Sequence, residues 1–147
     1  MSTPETLFET SASVPARTRL AARVTVAAAL ALARLSPAHI RRVLVVVRGR
    51  ARPSRYDQAQ GARQAVVAVS MICAGQGCLA RSIATALLCR LGGHWPVWRV
   101  GARTSPFGAH AWVEAEGRPV EEGDNITGFR PLMTVTPRPD ARVSRIR

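Results

Sequence analysis

The hydrophobic positions follow a helical period in the first half of the chain and alternate as in β-strands over much of the second half. The helical pattern predicts helices over about residues 15–35, 38–48, 56–72 and 78–91. Ser36-Pro37 separates the first two, because proline suits the first turn of a helix, and Gly92-Gly93 ends the fourth. Residues 49–54, which contain two arginines and a proline, form a predicted hinge-like linker.

The fourth predicted helix carries large apolar residues four positions apart. Leu79, Ile83, Leu87 and Leu91 would form one stripe along its length. A stripe of this kind usually faces the core of a globular protein. We therefore expect this stripe to face the core.

Short strands are predicted after this helix. Alternation favours strands over about residues 96–101, 109–114, 118–122 and 129–135, with a loop at 103–108. Pro119 has no backbone N–H to donate, so its strand should lie at an edge of the sheet. Because the helices come before an antiparallel sheet, the sequence predicts an α+β fold.

Three regions are predicted along the chain. Residues 1–55 form an N-terminal tail and helical region, residues 56–136 form the core of the domain, and residues 137–147 form a basic C-terminal tail. Residues 1–14 are mostly polar, which is typical of a loose tail. The first two helices would either pack on the second region, which we favour, or lie on a membrane or a partner. The longest apolar-looking run, residues 24–33, is shorter than the roughly 20 residues of a spanning helix, so no transmembrane segment is predicted.

The charge of the chain is strongly positive. The 147 residues contain 21 basic residues, all of them arginine, against 9 acidic ones, for a net charge of +12. Such an excess suits an acidic partner, whether a peptide, a nucleic acid or a membrane surface. The arginines are dispersed and aromatic residues make up only 5% of the chain, so no stacking platform for nucleic acid is visible and we expect no nucleic-acid partner.

The cysteines and the N-terminus favour a reduced, cytoplasmic setting. Three cysteines are an odd number and would leave a thiol unpaired in a disulfide-stabilised protein. The N-terminal residues lack the positively charged segment of a signal peptide.

Cys78 is the candidate nucleophile. It follows a glycine-bearing turn and opens a predicted helix, whose N-terminal partial charge lowers the pKa of a thiol. Arg81 adds positive charge in the next turn. The backbone amide of Cys78 is a natural oxyanion donor, and the side chain of Gln76 would be a second one, unless it is only a loop residue.

His110 is the candidate general base, because the predicted hairpin gives it a carboxylate. A three-residue loop at 115–117, with Gly117 in the left-handed position, is a common hairpin connection. The resulting pairs are Glu114 with Arg118, Trp112 with Val120 and His110 with Glu122. Directly opposed residues share a face of the sheet, so Glu122 would orient the imidazole. A register slip or a bulge would bring Asp124 there instead.

The remaining cysteines and histidines have no predicted catalytic role. Cys73 and Cys89 fit small buried apolar positions, and Cys89 lies about 16 Å along the helix from Cys78. His39 and His94 have no carboxylate partner in the pattern and are expected at the surface. The spacing of these residues matches no zinc site, and no phosphate-binding glycine motif is present, so no cofactor or metal is predicted.

Three segments of the chain together resemble a known family. They are Cys78-Leu-Ala-Arg-Ser-Ile-Ala, Pro106-Phe-Gly-Ala-His-Ala-Trp-Val-Glu114 and Gly117-Arg-Pro-Val-Glu-Glu122. The family is the leader peptidase of lasso-peptide biosynthesis, a branch of the transglutaminase-like, papain-related cysteine proteases. The resemblance covers about residues 60–135 and implies that residues 56–136 are a transglutaminase-like protease core.

The resemblance also implies roles for particular residues and partners. Cys78 would be the nucleophile, His110 the general base and Glu122 the acid that orients it, although this position is usually aspartate in the superfamily. The implied reaction removes the leader from a ribosomally made precursor peptide through an acyl-enzyme. The implied partners are that leader, a separate leader-binding protein (a recognition element for such peptides) and a lasso cyclase. An acyltransferase of the same fold, or a non-catalytic basic module that binds peptide or nucleic acid, are the alternatives.

Overall fold

The computed structural model describes residues 14–139. Its helices are α1 (Ala16–Leu32), α2 (Pro37–Arg48), α3 (Tyr56–Val69), α4 (Met71–Ala74) and α5 (Cys78–Leu91). Its strands are β1 (Arg52–Pro53), β2 (His94–Trp95), β3 (Val97–Thr104), β4 (Phe107–Ala115), β5 (Arg118–Pro119) and β6 (Arg130–Val135). The α+β class is confirmed. The tails predicted at the two ends lie, apart from residues 14 and 137–139, outside the described residues.

Helix α5 lies at the centre of the fold and packs against α1, α3 and β4. Its buried residues are mostly small: Ala80, Ser82, Ile83, Ala84, Thr85, Ala86 and Cys89. The predicted core-facing stripe is confirmed at Ile83, which is buried, and at Leu79 and Leu87, which are half-buried and pack against the core. It is wrong at Leu91, which is 67% exposed. A helix with neighbours on several sides needs short side chains, because the distance between packed elements is set by the side chains at the contact.

The helix predicted over residues 56–72 is broken in two. Ser70 adopts an extended conformation (φ −139°, ψ 118°) and its hydroxyl accepts a hydrogen bond from the backbone N–H of Cys73 at 3.2 Å. This side-chain cap ends α3 and starts the single turn of α4. The break redirects the chain into the turn that precedes Cys78.

The antiparallel sheet has the order β5-β4-β3-β6. All of β3 pairs with residues 107–114 of β4, so the loop predicted at 103–108 is wrong: both strands extend to a tight turn at Ser105-Pro106. Strand β5 lies at the edge, as Pro119 predicts, but it ends at that residue rather than continuing to 122. The predicted linker at 49–54 also contains a strand, because Arg52–Pro53 pairs in parallel with His94–Trp95.

The first two helices pack on the rest of the domain. Helix α1 contacts α5 and α3, and α2 contacts β6 and α5. One hydrophobic core accordingly includes Ala29 and Leu44 from these helices together with Ile83 and Trp98. The favoured prediction for this helical pair is confirmed, while the division of the chain at residue 55 remains a prediction. Within residues 14–139 no helix is long and apolar enough to cross a membrane.

Candidate active site

Cys78 is the first residue of α5 and is half-buried. The turn before it depends on Gly77, where an added Cβ would lie 2.6 Å from the carbonyl oxygen of Ile72 and 2.8 Å from its Cγ2. Only glycine allows the chain to pass so close to α4. The positive end of a 14-residue helix is thereby held at the thiol.

Arg81, in the first helical turn of α5, stabilises the loop that precedes Cys78. Its Nη1 donates to the carbonyl oxygens of Cys73 at 3.1 Å and Gly75 at 3.3 Å. The backbone N–H of Cys78, a predicted oxyanion donor, donates to the carbonyl oxygen of Gln76 at 2.9 Å. A substrate oxygen bound by this amide would therefore have to displace a turn hydrogen bond. The residue Gln76 itself is exposed.

His110 lies on β4, opposite Gly101 of β3, with its ring held by aromatic neighbours. The ring stacks on Trp112 at a centroid distance of 5.9 Å and contacts Phe129 at 5.8 Å. Gly101 makes room for this arrangement, because a Cβ there would lie 2.8 Å from Cη2 of Trp112. Trp112 in turn donates through Nε1 to Glu114 at 3.0 Å. These contacts fix the plane of the imidazole.

Glu122 contacts His110 directly. Its Oε2 lies 2.8 Å from Nε2 of the imidazole, and the residue is only 4% exposed. A carboxylate can only accept, so Nε2 carries the proton in this bond. No hydrogen bond to Nδ1 is present among residues 14–139, and Nδ1 is the ring nitrogen left for a thiol.

The contact forms although the predicted hairpin register is wrong. The loop has two residues, Glu116 and Gly117, both left-handed (φ 55° and 74°), so Glu114 pairs with Pro119 instead of Arg118. Continued regularly, this register would put Glu122 opposite Ala111, on the core face. Glu121 prevents this, because its left-handed conformation (φ 52°) ends the strand alternation and turns Glu122 towards His110.

Helix α3 holds this unusual turn through Glu121. The side-chain carboxylate accepts hydrogen bonds from Gln60 at 3.0 Å, Gln64 at 2.8 Å and Arg63 at 3.2 Å. Arg63 Nη2 also lies 3.9 Å from Oε1 of Glu122. Gln60, Arg63 and Glu121 were not predicted to belong to the site. The only sequence signals were the helical spacing of Gln60 and Arg63 and the position of Glu121 in an acidic pair after an edge strand.

A cleft of about 650 Å³ opens beside the histidine. The cleft is lined by His110, Glu122, Arg63, Arg81 and Arg103, together with Gly75. Cys78 is not part of the lining, but it lies in the chain between Gly75 and Arg81, which are. The structure thus joins His110 and Glu122 directly, and places the Cys78 helix against the strand that carries His110.

Asp124, the alternative acid, also lines the cleft. It lies in the short 3-10 turn Gly123–Ile126 and is exposed. The hydrogen bond to the imidazole comes from Glu122 and not from Asp124.

The other two thiols are buried, in agreement with the prediction. Cys73 is 0% exposed and Cys89 is 1% exposed. Burial raises the pKa of Cys89 to about 12. In the described part of the chain, no group of three or more histidine, cysteine or acidic residues is arranged to hold a metal ion.

The two remaining histidines differ from each other. His39 is exposed, as predicted. His94 is half-buried and hydrogen-bonded through Nδ1 to Ser54 Oγ at 2.7 Å, so its prediction as a surface residue is wrong. Burial, followed by the charge of Arg55, lowers the pKa of His94. The strand pairing of β1 with β2, which brings Ser54 to His94, had no sequence signal.

A cysteine at a helix N-terminus, packed against an antiparallel sheet that carries a histidine–carboxylate pair, defines a class of thiol-dependent acyl-transfer folds. The sequence profile of the transglutaminase-like superfamily matches residues 22–134, and the chain belongs to that superfamily. The superfamily includes cysteine peptidases and acyltransferases. Comparison with curated proteins and with solved structures gives no significant match.

Proposed function

We propose that this protein is a cysteine peptidase that removes the leader from a ribosomally made lasso precursor peptide. The observation that carries the proposal is the 2.8 Å hydrogen bond between His110 Nε2 and Glu122, formed beside the helix that begins at Cys78. Membership of the transglutaminase-like superfamily supports the chemistry. The resemblance of the three sequence segments to lasso leader peptidases supports the substrate.

In the proposed mechanism Cys78 is the nucleophile and His110 the general base. Nδ1 of His110 takes the thiol proton, and Sγ attacks the carbonyl carbon at the end of the leader. The tetrahedral intermediate collapses as the imidazolium gives its proton to the leaving amine, so the C–N bond breaks and a thioester remains. Glu122 keeps the proton on Nε2 and stabilises the imidazolium in both steps.

Water completes the proposed reaction. His110 removes a proton from the water, whose oxygen attacks the thioester carbon. The C–S bond then breaks, the leader leaves as a carboxylic acid, and the Cys78 thiolate regains its proton from the imidazolium. An acyltransferase of the same superfamily would replace the water by an amine. The two reactions share every step up to the thioester, so the product distinguishes them.

We further propose that a separate leader-binding protein presents the substrate and that a lasso cyclase acts on the product, all in the cytoplasm. Residues 14–139 are built around one hydrophobic core, without a second peptide-docking module. The net charge of +12 suits an acidic leader or carrier. We therefore expect weak affinity for the leader when the peptidase is alone.

The test uses candidate precursor peptides and leader-binding proteins taken from the genes that flank this one. Purified peptidase should cut the precursor into leader and core, identified by mass spectrometry, and faster with the leader-binding protein than without it. Cys78→Ala should abolish cleavage, whereas the matched variant Cys73→Ala should retain it. Transfer of the leader to an added amine would favour the acyltransferase. An uncut precursor together with tight binding of generic nucleic acid would favour the binding module.

A further inference from the structure

Arg103 lies on the same face of the sheet as His110 and in the same cleft. Strand pairing places Gly101 opposite His110, and Arg103 is two residues further along β3. Such diagonal neighbours have Cβ atoms about 7–8 Å apart. An extended peptide rises about 3.3 Å per residue, so this distance corresponds to roughly two residues of a bound substrate.

The guanidinium of Arg103 is held in one orientation by two contacts. Its Nε donates to the carbonyl oxygen of Pro106 at 3.1 Å, and its Cζ lies 4.8 Å from the centre of the Phe129 ring. Phe129 also contacts His110, so the guanidinium and the imidazole both pack against the same aromatic ring. A group fixed in this way loses little conformational freedom when it binds a ligand.

The two terminal nitrogens of Arg103 have no partner among the described residues. Among the described residues they have no hydrogen-bond acceptor, and no carboxylate lies within 4 Å of them. The other two arginines of the cleft are engaged: Arg63 pairs with Glu121 at 3.2 Å, and Arg81 binds two backbone carbonyls. Arg99, four residues before Arg103 on β3, pairs with Glu114 at 3.2 Å.

We propose that Arg103 binds a carboxylate side chain of the peptide, within about two residues of the bond that is cut. The proposal rests on the proposed peptidase function and adds its specificity. The planar fork of a guanidinium matches a carboxylate with two parallel hydrogen bonds. The substrate is therefore a peptide with glutamate or aspartate next to or near the scissile bond, and Arg103 is its specificity-determining residue.

The experiment measures kcat/KM for variants of a precursor peptide that the wild type cuts, in the presence of the leader-binding protein used in that assay. Each of the two residues on either side of the scissile bond is replaced in turn by Glu, Gln and Lys. The enzymes are the wild type, Arg103→Gln and Arg103→Glu. Arg130→Gln is the matched control, because it removes the same charge from an exposed position on the adjacent strand β6, away from this cleft.

At one position, kcat/KM of the wild type and of Arg130→Gln should be about ten-fold higher with Glu than with Gln. This ratio is what a typical charge-assisted hydrogen bond contributes. Arg103→Gln should reduce this preference below two-fold, and Arg103→Glu should prefer Lys at the same position. Equal rates for Glu and Gln at all four positions would overturn the inference while leaving the peptidase function intact. If no precursor variant is cut by the wild type, both the function and the inference fail.

Discussion

Replacing Glu122 with glutamine removes the negative charge next to His110 and changes little else. The two side chains have nearly the same shape, and the residue is 4% exposed, so packing should be preserved. The amide oxygen still accepts a hydrogen bond from Nε2, which keeps the imidazole in the same tautomer. What is lost is the charge that would stabilise the imidazolium in the proposed mechanism.

The size of the effect follows from this single contact. A neutral hydrogen bond contributes about 1 kcal/mol, and a charge-assisted one about twice as much. The difference of about 1 kcal/mol corresponds to a rate loss of about five-fold or more, since about 1.4 kcal/mol is a factor of ten. The equivalent change in a serine protease costs about 10⁴-fold, but a cysteine–histidine ion pair is partly formed before substrate binds, so less is lost here.

The variant should remain folded. Arg63, which lies 3.9 Å from Glu122, keeps its closer pairing with Glu121 at 3.2 Å. We expect the free energy of unfolding to fall by at most about 1–3 kcal/mol, the cost of weakening one buried polar contact. Urea unfolding and circular dichroism should show a folded protein at the assay temperature.

The assay is single-turnover cleavage of the precursor peptide, with Asp124→Asn as the matched control. Asp124 lines the same cleft and carries the same charge, but it makes no hydrogen bond to His110. Its replacement should change the rate less than two-fold. If Asp124→Asn lowers the rate and Glu122→Gln does not, the assignment of Glu122 as the orienting acid is wrong.

Three further results are expected. Iodoacetamide should label Cys78 before Cys73 and Cys89, as measured by peptide mapping, because only Cys78 is at a helix N-terminus and outside the core; faster labelling of Cys73 would contradict this. Arg63→Gln should lower kcat more than it raises KM, because the cation at this position holds the turn that carries Glu122. Arg63→Lys should recover part of the lost kcat. A change in KM alone would show that the residue only binds substrate. Burial raises the pKa of the Cys89 thiol from 9.0 to about 12, so the unfolded chain loses this proton at a lower pH than the folded protein does. The free energy of unfolding should therefore fall as pH rises from 9 towards 12, by up to about 1.4 kcal/mol per pH unit. The urea midpoint of Cys89→Ala should depend less steeply on pH than that of the wild type, and an unchanged dependence would show that Cys89 is not the cause.

The ends of the helices could be predicted well because proline and glycine mark them. Helix α2 begins at Pro37, and α5 ends immediately before Gly92. The start of α5 at Cys78 followed from the same reasoning and placed the candidate nucleophile correctly on the fold. The break at Ser70 was missed, because a serine inside an apolar helical pattern becomes a cap only when the following turn is redirected by tertiary packing.

The hairpin register could not be predicted from loop chemistry alone. A three-residue loop needs only Gly117 to be left-handed, whereas the observed two-residue loop also forces Glu116 to φ 55°. That conformation is unfavourable for glutamate, so local preferences select the wrong loop. The long pairing of β3 with β4 fixes which residues of β4 face the core, and the turn adapts to it.

The contact between Glu122 and His110 therefore depends on α3 as much as on the hairpin. With the observed register, a regular edge strand would bury Glu122 on the wrong face, and only the left-handed Glu121 reverses this. A left-handed glutamate is costly, and the three hydrogen bonds from Gln60, Arg63 and Gln64 offset that cost. Because α3 also packs against α5, the same helix positions the acid and the helix that begins at Cys78. Helix α3 thus contacts both the helix that begins at the proposed nucleophile and the turn that carries the proposed acid, although it lies outside all three of the resembling sequence segments.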